Sequence, residues 1–404
     1  MKSTQTKIMN FSDTGLDFSP GSKSLFPDRF KKMLAVGFNI QIVTAVVVAG
    51  NQVTLTYGGA HGYVADRVLK IDSGPLSEIN GGEFWIDSVT VNTVTLTIES
   101  APVSVATGFT TRIASLGWDL VYEQANIQLY KLKDMDESDL FLRICFQLAG
   151  NFRSCVSPCI GKTANILTGE ITDPYSTPGN QNIMNPTAVA AGYRWEFNGV
   201  ASTTYDNYTG AQGVALWGPS VMMGSKYHLL FMLSQYNVQG RGVINGFIPT
   251  ATHNYAPVKR PLLISYDHNN AAGVNTAALL TACRAMIGNV RCSFTPSNTL
   301  DPLTIVVPQA YNSYLSLDEF NTTTCEPIPL YEYSTRQHLG YVQGGMYIAK
   351  YGATGGPSVM IGGSPLITKD IDLLNDVVVH YIGYQSNSAN SAWFAMPVEP
   401  IKYA

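Results

Sequence analysis

Between residues 42 and 98 apolar and polar positions alternate in short bursts closed by glycine, asparagine or serine, the period of strands and not of helices. Runs 42–48 and 53–57 are rich in β-branched residues and are separated by Ala49-Gly50-Asn51-Gln52, which predicts a hairpin. Val68, Ile71, Phe84, Ile86, Val89, Val94, Leu96 and Ile98 alternate or nearly alternate, as the inward positions of a small β-barrel would. Gly58-Gly59 and Gly81-Gly82 mark turns where a Cβ would clash.

The same pattern continues beyond the module. It predicts a strand over 112–122, strands 127–133 and 140–148 around the acidic turn DMDESD, and a strand in GYRWEFNG. GVALWGPSVMMG and KYHLLFMLSQY predict paired strands buried on at least one face, and short strands with Gly and Pro turns fill 289–404. Two segments carry helical spacing instead. Pro27 opens a helix through Phe38, with Phe30, Met33, Leu34 and Val36 or Ile40 on its apolar side. In 276–287, Leu279, Leu280, Cys283, Met286 and Ile287 share one face before Gly288, which predicts a second helix. The fold class is therefore mainly β and multi-domain, with small β-barrel or sandwich modules and one or two short helices. The expected organisation is an extended N-terminal arm over 1–26, a helix plus β module over 27–111, a central β domain over 112–274, and a helix followed by a C-terminal β domain over 275–404.

Composition adds one point. Of 404 residues 45% are hydrophobic but only 13% charged, about half the usual ~25%. Ser, Thr, Asn, Gln, Tyr and Gly must carry the polar surface, which suits a chain that lies against other subunits. A net charge of −4 gives no electrostatic footprint for nucleic acid. Lys23, Arg29, Lys31 and Lys32 lie beside Asp28 and read as a solvated helix face. The most apolar run, 42–49, is far shorter than the ~20 residues of a membrane span, and the start lacks the apolar segment of an export signal. No membrane insertion and synthesis in a cytoplasm are expected.

The chemistry of catalysis is not legible. Cys145, Cys155, Cys159, Cys283, Cys292 and Cys325 have no zinc spacing and read as small buried hydrophobes. Asp134, Asp136 and Asp139 lack the glycine and terminal glutamate of a calcium loop, and read as a charged hairpin tip. Asp267 and His268 are neighbours that a strand would point to opposite faces. Glycosidase chemistry would need two carboxylates in a cleft. Asp119, Glu123, Glu196, Asp301, Asp318 and Glu319 are available for it, none in a recognisable catalytic setting. No catalytic, metal-binding or cofactor-binding residue is expected, and the chain reads as a non-enzyme. Tyr205 and Tyr208 in TTYDNYTG, with Tyr311 and Tyr314 in PQAYNSYLS, are candidate interface residues, since tyrosine gives contact area at low entropy cost.

Several segments, in order, resemble a family of structural proteins of tailed-bacteriophage and prophage virions encoded among tail genes. MLAVGF at 33–38 resembles that family's short helix ending in "GF". AHGYVADRVL at 60–69 and INGGEFWIDSVTVNTVTLT at 79–97 resemble its small β module with "GHGY" and "LNG" turns, which places Gly59, His61, Gly62, Tyr63, Asn80, Gly81 and Gly82 at the module turns. Gly117-Trp118-Asp119, LYKLKDMDESDLFLRICF at 129–146, LWGPSVMMGSKYHLLFML at 216–233 and LGYVQGGMY at 339–347 echo later segments. TGEITDPYSTPG and YRWEF resemble its proline loop and aromatic strand more loosely. This chain departs from the family by having Gly218-Pro219 and Met222-Met223 in place of an Asp and Arg, and INGF at 244–247 in place of an acidic turn. The resemblance implies a place in the virion, in its tail. The chain is then expected to be a tail-tip or baseplate component that assembles with copies of itself as a ring or trimer and with other tail proteins. The alternatives are a receptor-binding adhesin, which would meet a host surface receptor, or a neck or capsid-surface protein.

Overall fold

The computed structural model of the chain describes residues 5–19, 21–148, 154–186, 193–197, 220–235, 241–266, 283–294, 296, 324–350, 367–370, 375–384 and 391–399. These residues are mainly β, arranged in several antiparallel sheets with a single short α-helix among them.

The module is a seven-stranded sheet that runs from Phe38 to Ile113. Its central hairpin joins Phe38–Ala49 to Gln52–Tyr57 in the register Val48↔Val53 and Ala49↔Gln52, with Gly50 at φ +63° in the two-residue loop. Val68, Ile71, Phe84, Ile86, Val94, Leu96 and Ile98 are all buried, and Val89 is half-buried against them. Alternation put these side chains inside because each strand has one wet face.

The helix before the module spans Phe26–Lys31 and runs on as a π-turn, Lys32–Val36. It stops there because Gly37 takes φ +76° and donates its N–H to the Lys32 carbonyl (2.8 Å). A Cβ at Gly37 would lie 2.4 Å from the Ile113 carbonyl oxygen. Phe30, Met33 and Leu34 are buried, whereas Val36 and Ile40 are exposed at 43% and 62% and take no part in the core.

The expected strand over 112–122 is two strands in two sheets. Thr110–Ile113 closes the module, and Asp119–Gln124 forms the edge of a five-stranded sheet. The chain between them changes sheets by hydrogen-bonding to the helix, with Leu116 N–H on Met33 O and Trp118 N–H on Leu34 O (both 2.9 Å). In the five-stranded sheet Ile127–Lys133 and Asp139–Phe146 form the hairpin around the acidic tip, followed by Cys155–Gly161 and Trp195–Glu196.

A third, large sheet gathers strands from both ends of the chain. Ser220–Gly224, Leu229–Gln235 and Arg241–Ile248 pair in sequence, and Arg241–Ile248 also pairs with Leu262–Tyr266 and with Asn375–Tyr384. The sheet therefore crosses the boundary expected near 274, because strand partners are chosen by pairing and not by proximity in sequence.

Two expectations are corrected here. Cys283–Ile287 is a strand and not the end of a helix, paired with Leu262–Tyr266 from Leu262↔Ile287 to Tyr266↔Cys283; the rest of 276–287 lies outside the described residues. A short apolar run fits either element, and an open strand edge beside it decides the matter. The second correction concerns the N-terminal segment, which is no arm. Lys7–Asn10 is a strand paired with Ser220–Gly224. Phe11, Leu16 and Phe18 are at most 1% exposed, and Phe18 packs edge-on to Phe26 at 4.9 Å. Two ion pairs tie this segment to the module. Asp13 holds Arg67 through both carboxylate oxygens (2.7 and 3.0 Å), and Lys7 holds Glu83 (2.8 Å).

A single apolar cluster runs from Met9 through the helix and module to Leu263. At its centre Phe30 meets Phe146, Phe197 and Phe231 at 5.3, 5.9 and 5.2 Å between ring centroids. These contacts bind helix, central sheet and large sheet into one body, since tight aromatic packing holds the elements in a fixed relation.

Candidate functional site

The "GHGY" turn is built around one imidazole. The Tyr63 N–H donates to His61 Nδ1 (2.9 Å), which leaves the proton on Nε2 to donate to the Thr93 carbonyl (3.1 Å). Asn39 donates to the His61 carbonyl (2.9 Å), and the Tyr63 hydroxyl donates toward the Asn39 and Thr111 carbonyls (2.8 and 3.0 Å). Burial pushes the Tyr57 phenol up to about 12, and it shares Thr111 Oγ1 with Tyr63. Gly62 has φ +71°, and a Cβ there would strike the Thr14 side chain at 2.9 Å. His61, at 2% exposure, is thus a buried clamp between a turn and a neighbouring strand. It has no access to a substrate.

The second turn works by backbone geometry. Asn80 has φ +50°, and Gly81 and Gly82 both have φ +69°. A Cβ on Gly82 would lie 2.8 Å from the Ile71 carbonyl oxygen, so glycine is required there. The clash expected at the first turn is absent: a Cβ on Gly58 would come no nearer than 3.8 Å to Thr44, and one on Gly59 would meet nothing within 4 Å; Gly81 also has open space, and only its φ of +69° favours glycine. Tyr205, Tyr208, Tyr311 and Tyr314 lie outside the described residues, as do Asp267, His268, Asp301, Asp318 and Glu319.

Several of the polar groups read as possible chemistry are committed to structural partners, whereas Asp119 stands exposed on the edge strand Asp119–Gln124. Glu196 is 2% exposed and pairs with Arg194 (2.8 Å), and Glu123 pairs with Lys31 (2.5 Å). At the hairpin tip Asp139 bonds Lys131 and Lys133, Glu137 bonds Lys226, and Asp136 accepts from Ser138. These contacts hold the Asp136, Glu137 and Asp139 carboxyls below their usual range. Among the described residues no three His, Cys, Asp or Glu side chains converge as a metal site. Cys145, Cys155, Cys159 and Cys292 are buried free thiols, and no described helix is long and apolar enough to cross a membrane.

What the module does present is a face. Along Phe38–Ala49 the outward side chains include Ile40 and Ile42, each 62% exposed, and Val47 at 61%. Across the sheet, Val47 stands opposite Thr54, Thr54 opposite Thr95, and Thr95 opposite Ser88. One step along, Ala45 faces Thr56 and Thr56 faces Thr93; on the other side Ala49 faces Gln52 and Gln52 faces Thr97. The positions named in these rows are uncharged, but charge borders them: the Asp87 carboxylate accepts from the Thr97 hydroxyl (2.8 Å), and Ile42 pairs with Thr110, whose hydroxyl donates to Asp72 of the Asp72–Arg112 ion pair. The Thr54 and Thr95 hydroxyls meet at 3.4 Å, as cross-strand threonine pairs do. Between those ionic borders the aliphatic and threonine positions cost little to dehydrate, because none of them carries an ion whose hydration must be given up. Sequence alternation marked which residues point inward, but it gave no sign that Val47, Thr54, Thr95 and Ser88 would line up as one row.

The sequence matches no protein-family model and no curated protein.

Proposed function

We propose that this chain is a structural component of a tailed-bacteriophage virion, placed at the tail tip or baseplate and assembled with copies of itself and with other tail proteins. The observation that carries this reading is the outer face of the module, where Ile40, Ile42 and Val47 stand exposed beside threonine rows and charge is confined to the borders, at Asp87 and the Asp72–Arg112 pair. Such a face suits permanent burial against a neighbouring subunit. The buried N-terminal strand and the shared aromatic core give a stiff body, which a repeated contact in a closed ring or trimer needs. The reading assigns no catalytic step.

Two experiments test it. Immunogold labelling of intact virions with antibody to this chain is expected to mark the tail tip; label over head or neck would refute that placement, and no label would refute the virion reading. Val47→Lys and Thr54→Lys put charge on the outer face without touching the core. They are expected to leave a folded chain that no longer enters particles or rings. Unimpaired assembly of both variants would remove the outer face from the interface.

A further inference from the structure

A surface cleft of about 450 Å³ opens where distant parts of the chain meet: the hairpin tip at Asp134–Asp136 with Lys162, the segment from Thr250 to Arg260, and the segment from His338 to Gln343. Its volume lies in the ~300–1,000 Å³ range of small-molecule sites. One wall is aromatic. The rings of His253 and His338 lie 5.7 Å apart, those of His338 and Tyr341 5.0 Å apart, and Tyr341 is 47% exposed.

Some of the polar lining is already occupied with the fold. The Thr250 and Thr252 hydroxyls donate to the Arg260 and Val258 carbonyls (2.8 and 2.7 Å). Arg260 is held in two-point contact by Asp173 (2.8 and 2.6 Å). Four other side chains at the cleft, those of His253, Lys259, Tyr341 and Gln343, make no hydrogen bond or ion pair among the described residues. Across from them Asp136 uses one carboxylate oxygen on Ser138 and keeps the other for a further donor.

The chemistry of these groups narrows the ligand. Unused donors (Lys259, Gln343, Tyr341) and unused acceptors (Asp136, Gln343, Tyr341) stand together. A phosphate would be met by the Asp136 carboxylate, and an apolar ligand would strand Lys259 and Asp136 without water. A sugar ring has hydroxyls that donate and accept at once, and an apolar C–H face suited to an exposed aromatic ring.

We propose that this cleft is a saccharide-binding site, which takes a pyranose unit with its C–H face on Tyr341 and its hydroxyls on Gln343, Lys259 and Asp136. The proposal stands independently of the virion reading, because it rests on the cleft and not on the module face.

The test is binding of the full chain to an array of neutral and acidic glycans, followed by saturation-transfer NMR with the best sugar and, separately, with inorganic phosphate. At least one sugar is expected to receive saturation at its ring protons. Tyr341→Ala and Gln343→Ala are expected to weaken it by about tenfold each, with unchanged melting temperature because both side chains stand outside the core. Three results would overturn the proposal: no sugar bound, a sugar bound equally by both variants, or displacement of the sugar by phosphate, which would mark an anion site.

Discussion

The ion pair between Asp13 and Arg67 offers the sharpest test of how the N-terminal segment is built in. Asp13→Asn keeps the shape of the side chain and removes its charge, leaving the Arg67 guanidinium uncompensated. The two side chains are 6% and 2% exposed, so water cannot replace the lost carboxylate. Breaking one partner of such a buried pair costs about 3–5 kcal/mol. An unfolding entropy of ~2.1 cal/mol/K per residue over the 404 residues gives about 0.85 kcal/mol/K, so the midpoint should fall by about 4–6 °C for a chain that melts as one unit. The apolar double variant Asp13→Leu with Arg67→Met removes both charges together and, although it takes away the carboxylate to which the Asn10 N–H donates (2.9 Å), should cost less than the sum of its two single variants. Urea titrations of wild type, the single variants and the double variant measure the coupling. A cost under about 1 kcal/mol for Asp13→Asn would refute the reasoning, because the segment would then be a loosely attached arm of the kind its polar composition suggests.

Further outcomes follow from other sites. Gly37→Ala forces a Cβ to within 2.4 Å of the Ile113 carbonyl at φ +76°, and should cost about 1–3 kcal/mol or more in urea denaturation. Burial pushes His228 down to about 3 and His380 to about 4, so both fold as neutral rings. The unfolded chain takes up their protons below its ordinary histidine pKa of ~6.5 while the folded chain does not. Stability is therefore intact above that pH and is lost as pH falls toward 4, by up to about 1.4 kcal/mol per pH unit for each histidine. Melting curves across this window should flatten in His228→Gln, and an unchanged slope would contradict the assignment. Burial raises the thiols of Cys145 to about 11 and of Cys155, Cys159 and Cys292 to about 12. In mass spectrometry after maleimide treatment at neutral pH, these four should stay unlabelled until the chain is unfolded.

The parts of the fold legible in the sequence are those fixed by near neighbours. The hairpin at residues 49–52, the inward row from Val68 to Ile98 and the acidic tip at 134–139 each depend on a turn and on alternation within about ten residues. The segment 283–287 misled because its spacing satisfies a helix as well as a strand, and only the open edge at Leu262–Tyr266 settles it. The N-terminal residues misled differently. The apolar side chains of Ile8, Met9, Phe11, Leu16 and Phe18 are all buried, a matter of destination that composition does not encode. The cleft was not legible either, because Asp136, Lys259 and the pair Tyr341 and Gln343 come from three segments far apart in sequence, with no spacing to recognise.

By itself the sequence determined the strand-rich character, the module with its glycine turns, and a surface that is poor in charge, because backbone sterics and side-chain period act locally. Tertiary structure alone decided that Lys7–Asn10 would enter a sheet with Ser220–Gly224, that strands from both halves would share that sheet, and that Val47, Thr54, Thr95 and Ser88 would line up across the module. Those outcomes depend on which distant edges and apolar faces find one another, and the free energy of that choice is shared among many weak contacts that no short stretch of chain contains.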